Sequence, residues 1–222
     1  MSANKAGIQI VTGDTKVVEH GKGDKIFINT SGIGIVEDGI DISPKNCKDG
    51  DVIILNGSIA DHGVAIMSAR EGLTFETEII SDTAPLNDLI RSVLDLSKNV
   101  HVMRDPTRGG VASMLKEIAM TAQMGIEIDE AKIPIKEEVK GACEILGLDP
   151  LYIANEGKVI LFVTENDSEK VLLEMKNHPL GKESRIIGKV TKEHIGIVVM
   201  KTLIGSKRVV EMITGEQLPR VC

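Results

Sequence analysis

The stretch Asn99-Val100-His101-Val102-Met103-Arg104-Asp105-Pro106-Thr107-Arg108-Gly109-Gly110-Val111-Ala112-Ser113-Met114-Leu115 decides the fold class. Its first five residues are a short valine-rich run of strand type. Pro106 and two glycines then break the chain, and over 110–123 the residues Val111, Met114, Leu115 and Ile118 recur at helical spacing. A strand that passes at once into an amphipathic helix is the building unit of a mixed α/β layer.

Worked outward, the same alternation covers most of the chain. Upstream lie a strand, Asp51-Val52-Ile53-Ile54-Leu55, and helices over 63–70 and 87–96. Downstream come a strand Gly125-Ile126-Glu127-Ile128, a helix over 136–146 ended by Gly147, a strand over 158–164 and a helix over 168–177. Strands near 185–190, 195–203 and 208–213 follow. Residues 44–213 are therefore read as a complete α/β-layer domain. Residues 1–43 differ: they offer strands at 7–11, 16–18 and 25–30, the last extended by 33–36, and no helix to cover them. So small a sheet is marginal alone, so it packs on the rest, pairs with a second copy or is the remnant of a larger domain; the last two are favoured. Residues 214–222, Thr-Gly-Glu-Gln-Leu-Pro-Arg-Val-Cys, have no periodicity and read as a mobile tail ending in Cys222.

Composition narrows the function classes. The 222 residues carry a net charge of −7, with no Trp, one Tyr and three Phe. Phosphate neutralisation needs a basic face and base stacking needs aromatic platforms, so a nucleic-acid partner is excluded. No apolar run approaches a bilayer span, and the first residues lack a hydrophobic signal segment. Three cysteines (Cys47, Cys143, Cys222) are too few for a disulfide scaffold, which points to a reduced, cytoplasmic protein. No Cys-x-x-Cys or His-x-x-x-His spacing marks a structural zinc site.

Four places can carry chemistry. In Thr12-Gly13-Asp14-Thr15-Lys16, Asp14 offers a hard oxygen for Mg²⁺ and Lys16 a point charge for phosphate, though spacing alone favours a plain turn. In 104–110 the glycines and the following helix N-terminus suit an anion, with Arg108 as a fork. The equal alternative has Asp105 or Thr107 as a cap and the glycines serving close packing. Glu156, in Ala154-Asn155-Glu156-Gly157-Lys158, is a general base if desolvated and a surface residue otherwise. Cys222 has no packing reason to end a tail, whereas a thiol on a moving arm visits two places; Cys47 and Cys143 read as inert.

Together the Thr12-to-Lys16 turn, the 104–110 loop, Asn155-Glu156-Gly157 and the ending Leu218-Pro219-Arg220-Val221-Cys222 resemble the HypE family of hydrogenase maturation proteins, within the aminoimidazole ribonucleotide synthetase superfamily. The resemblance spans nearly the whole chain but only the later two-thirds of the family's usual length; the family's glycine-rich N-terminal segment is absent. It implies an α/β (α+β) fold: residues 1–43 as the remnant of a β-rich ATP-binding and dimerisation domain, 44–213 as the C-terminal α/β domain, and 214–222 as the mobile tail. It also implies an ATP- and Mg²⁺-dependent carbamoyl dehydratase. A HypF-type carbamoyltransferase carbamoylates Cys222, the enzyme dehydrates the product to a thiocyanate, and the cyanide passes to iron through a HypC–HypD scaffold. By position, Asp14 resembles the metal ligand and Lys16 and Glu156 the dehydration residues. Thr15, Asp105, Arg108 and Gly109 are further candidates for nucleotide or tail contact, and a homodimer is expected. A non-catalytic, tail-presenting fragment and another ATP-using enzyme of the superfamily are the alternatives.

Overall fold

The computed structural model describes residues 2–23, 26–72 and 77–213, in two compact units divided after Ile40. The first holds one short helix, α1 (Ser2–Lys5), and no strand among its described residues. The three runs expected there as strands therefore form no ladder among the described residues. A strand exists by exchanging N–H and C=O bonds with a neighbour, and among the described residues of this unit no such pairing is made. Its apolar side chains are left bare: Ile10, Val11, Ile26, Phe27, Ile28 and Ile33 are each at least 79% exposed.

In the second unit the elements run β1 (Val52–Leu55), α2 (Asp61–Glu71), α3 (Asn87–Leu96), β2 (Val100–Arg104), α4 (Gly110–Ala122), β3 (Gly125–Asp129), α5 (Glu137–Leu146), β4 (Ile160–Val163), α6 (Glu165–Asn177), β5 (Arg185–Thr191), β6 (Val198–Lys201) and β7 (Lys207–Val210). Every element expected between 44 and 213 is present; α2 and α6 start two and three residues earlier than the spacing suggested. The tail, 214–222, lies outside the described residues.

The strands form one sheet in the order β2-β4-β1-β5-β3-β6-β7. All pairs are antiparallel except β3–β6. β1 lies between β4 and β5 and is covered on both sides, which is why it reads as an uninterrupted apolar run. Ile53 and Leu55 face the cluster built on Val111, Leu115 and Ile118 of α4. Ile54 faces Leu89 and Val93 of α3 and Val171 and Met175 of α6. β4 divides in the same way, Phe162 to the first layer and Leu161 to the second. A third cluster joins α2 to α5 through Val64, Val139, Cys143 and Ile153. Among the described residues, no helix is long and apolar enough to cross a membrane.

One buried carboxylate fastens the second helical layer. Asp167, in the first turn of α6, accepts bonds at Oδ2 from Ser97 Oγ (2.5 Å) and Asn99 Nδ2 (3.0 Å), and Lys170 Nζ lies 2.9 Å from Oδ1. These donors, Ser97 first and then Lys170, hold its carboxyl down at about 2 against an ordinary 3.8. Because the folded value is depressed, the stability it lends is full above about pH 4 and is lost as pH falls through about 2. Asp167→Ala is expected to lose roughly 1–2 kcal/mol at neutral pH. The gap between variant and parent should narrow as urea midpoints are taken from about pH 4 downward.

Candidate active site

α4 starts from two left-handed glycines, Gly109 (φ 67°) and Gly110 (φ 60°). A Cβ on Gly110 would stand 2.3 Å from the carbonyl oxygen of Leu151 and 2.7 Å from that of Ile153. The helix start is therefore pressed directly onto the 151–153 backbone, the close-packing alternative left open above. The cap expected from Asp105 or Thr107 is not made; no side chain caps α4. Asp105 and Arg108 are exposed, and Arg104 is taken by Glu117 at 2.7 Å.

Past this contact the chain reaches Asn155, which is fully buried. Its Oδ1 accepts the N–H of Ala60 (2.8 Å), and its Nδ2 donates to the carbonyls of Pro106 and Ile153 (2.9 Å each). One side chain thus ties together the loop before α4, the segment leading to Glu156 and the left-handed Ala60 at the start of α2. A second buried amide holds the far side of the same loop: Asn56 donates to the carbonyl of Gly157 (3.2 Å) and accepts from the N–H of Val159 (2.8 Å).

Glu156 sits between these two clamps, half-buried, its N–H donating to Asp82 Oδ1 (3.4 Å). The backbone of 82–84 presses on Gly157 so closely that a Cβ there would lie 1.8 Å from the Asp82 carbonyl oxygen. Lys158 Nζ meets Asp82 Oδ2 at 2.9 Å. Beside the loop opens a cleft of about 420 Å³ lined in part by Ser58, Asp61, Lys136 and Lys158. Asp61 Oδ2 accepts from Ser58 Oγ (2.6 Å) and faces Lys136 Nζ (3.1 Å). Burial alone lowers the pKa of Lys136, but the adjacent Asp61 more than offsets this and raises it above its ordinary value.

Asp14, Thr15 and Lys16 belong to the first unit, where all three are exposed. Asp14 Oδ1 accepts the N–H of Thr15 at 2.8 Å, the local bond of a turn. The second unit brings Glu156 and the loop of Asp105, Arg108 and Gly109 together through Asn155. Cys222 lies outside the described residues.

Residues 48–201 match the family described as AIR synthase related protein, C-terminal domain. The chain is 51% identical over 221 residues to Carbamoyl dehydratase HypE of Cupriavidus necator, covering all of this chain and 63% of that protein. It superposes on a chain of the HypE–HypF complex with a TM-score of 0.92 at 50% identity, over 96% of this chain and 69% of that one. The chain belongs to the HypE family. A crystal structure of HypE with ATP superposes with a TM-score of 0.90 at 39% identity, over all of this chain and 67% of that one. The chain thus spans less than two-thirds of the length of its Cupriavidus relative.

Within this HypE-family chain, sequence reading missed the residues that build the site. Asn155 was part of a quoted loop with no task of its own, and Asn56, Asp61 and Asp82 were not singled out. No periodic signal marks a buried amide, because its partners are backbone groups far away in the chain. The two cysteines read as inert are both buried: burial, aided by Asp51, pushes the Cys47 thiol up to about 12, and burial with Asp149 and Glu144 pushes Cys143 up to about 11. Iodoacetamide at about pH 8 should spare both in the native protein and modify both in urea, as peptide mass mapping will show. Asn155→Ala strands the Ala60 N–H and the Ile153 carbonyl, while the Pro106 carbonyl keeps the residue-155 N–H at 3.3 Å, so it is expected to cost about 2–3 kcal/mol in urea unfolding.

Proposed function

We propose that the chain serves nickel–iron hydrogenase maturation by dehydrating an S-carbamoyl group on its own Cys222 to a thiocyanate, at the expense of ATP. The observation that carries this reading is the held backbone of Glu156: a half-buried residue whose chain neighbours are fixed on either side by Asn155 and Asn56, next to the loop that opens α4. Family membership, and a relative named as a carbamoyl dehydratase, point the same way.

An amide oxygen is a poor leaving group, and ATP supplies the phosphoryl group with which it departs. The balance is R–S–C(=O)NH₂ + ATP → R–S–C≡N + ADP + phosphate, the amide losing one oxygen and two protons. Glu156 accepts an amide proton as the nitrile forms. Lys16 neutralises the charge that develops on the oxygen. Asp14 and Thr15 hold the nucleotide, and Asp105, Arg108 and Gly109 contact phosphate or tail. Mg²⁺ would arrive with the nucleotide, since this ion keeps its waters and phosphate ligands and asks the protein for one or two carboxylates; Asp14 is the residue proposed.

The substrate requires a HypF-type carbamoyltransferase to load Cys222, and the product requires a HypC–HypD scaffold to take cyanide to iron; both place the chain in the cytoplasm. The bare apolar residues of the first unit support a homodimer, because such exposure seeks a partner. Light scattering should return about twice the chain mass of 23.9 kDa.

The decisive experiment carbamoylates Cys222 with cyanate, adds Mg²⁺–ATP, and weighs the C-terminal tryptic peptide against a Cys222→Ala control. Loss of one water, only with ATP, is the expected result. Glu156→Gln should slow it by about 10²–10⁴-fold while nucleotide binding persists. A thiocarbamate unchanged in the parent chain would overturn the reading and leave a tail-presenting, partner-docking role.

A further inference from the structure

The described chain does not leave the sheet freely after β7. Val210 is fully buried, and the next residues are fastened one by one. The phenol of Tyr152 donates to the carbonyl of Glu211 (3.0 Å), and Lys116 Nζ lies 3.5 Å from Glu211 Oε2. The N–H of Ile213 donates to Ser113 Oγ (3.4 Å), and the Ile213 side chain stands 3.4 Å from where a Cβ on Gly109 would be. Ser113 and Lys116 lie about one turn apart on α4 and Gly109 is the cap residue before it, so the opening of α4 receives the segment. Tyr152 belongs to the turn on which Gly110 is pressed.

We infer that Tyr152, Ser113 and Gly109 form a clamp at the root of the C-terminal tail, making the first turns of α4 the fixed point from which residues 214–222 depart. The clamp shares its framework with the candidate site: the loop that opens α4 is the one Asn155 ties to Glu156. Nine residues lie beyond Ile213, and nine extended residues span at most about 30 Å.

Length is not the main effect. Freeing the root back to Val210 lengthens the tether from nine residues to twelve, which lowers the effective concentration at its end by only about 1.5-fold. The clamp acts through the place and direction of departure. Tyr152 and Ser113 are positioning residues: they touch the tail root, and they act on the reaction through where Cys222 begins its path. The role in catalysis rests on the proposed dehydration, whereas the clamp itself does not.

The test uses distances, so that its failure is distinct from failure of the dehydratase reading. Nitroxides are placed on Cys222 and on Glu169→Cys, an exposed position of α6, in the full chain without nucleotide or carbamoyl group. Pulsed electron resonance then compares the parent with Tyr152→Phe, Ser113→Ala and the pair. A shifted or widened distribution in Tyr152→Phe, wider again in the pair, is expected. A control pair on the exposed positions 144 and 169 reports that the fold is intact. Superimposable distributions from Cys222 in all four proteins would overturn the clamp. Should the pair fail the control, Tyr152→Phe alone decides, since it removes one hydroxyl and leaves the ring. With the clamp and dehydration both standing, Tyr152→Phe lowers the rate on the attached Cys222 and leaves unchanged the rate on a separate S-carbamoyl peptide added in excess. Equal loss on both would place Tyr152 in the chemistry instead.

Discussion

Two buried amides govern the geometry on which everything else rests. Asn56 is 2% exposed and Asn155 is fully buried, so neither can exchange a protein partner for water. Each lost bond would leave a stranded donor or acceptor in a medium that does not solvate it, at about 1–3 kcal/mol apiece. That asymmetry, more than the strength of any one bond, pins the backbone of 155–159. Glu156 is carried by this segment and contributes little to holding it. The backbone that carries Glu156 is thus placed by neighbours that are neutral amides.

The charged residues around that loop follow a related rule. Asp82 and Asp61 are nearly buried, and each is met by a lysine, Lys158 and Lys136. A carboxylate removed from water is costly unless a cation and hydrogen bonds accompany it. The surrounding cleft therefore carries paired charge, and it is the exposed groups, Arg108 among them, that remain available to an incoming anion.

The division between what sequence made legible and what it hid follows from range. β1 and β4 announce themselves as apolar runs because both faces of each are buried, and α4 shows its spacing because one stripe faces the sheet. Those are local patterns. The strands expected over 7–36 had the same local pattern and form no ladder among the described residues, because a ladder is a property of two paired segments and not of the apolar pattern of either one. The site divides in the same way. Glu156 and the Gly109–Gly110 pair stand out by residue type, while the bonds from Asn155 to Ala60 and from Asn56 to Val159 cross about a hundred positions and leave no periodic trace. The 104–110 glycines, evenly open to ligand or packing, resolved at Gly110 to packing for the simple reason that a carbonyl occupies the space.

The central position of β1 has a consequence for how the molecule is made. Its register partners, Val163 in β4 and Lys189 in β5, follow Val52 by more than a hundred residues. At a ribosomal rate of about 5–20 residues per second, the nascent Val-Ile-Ile-Leu segment waits on the order of ten seconds before either neighbour has been synthesised. During that interval it is an unpaired, wholly apolar strand. The centre of the sheet is thus closed by strands made long after β1, so its register is set by the second half of the chain.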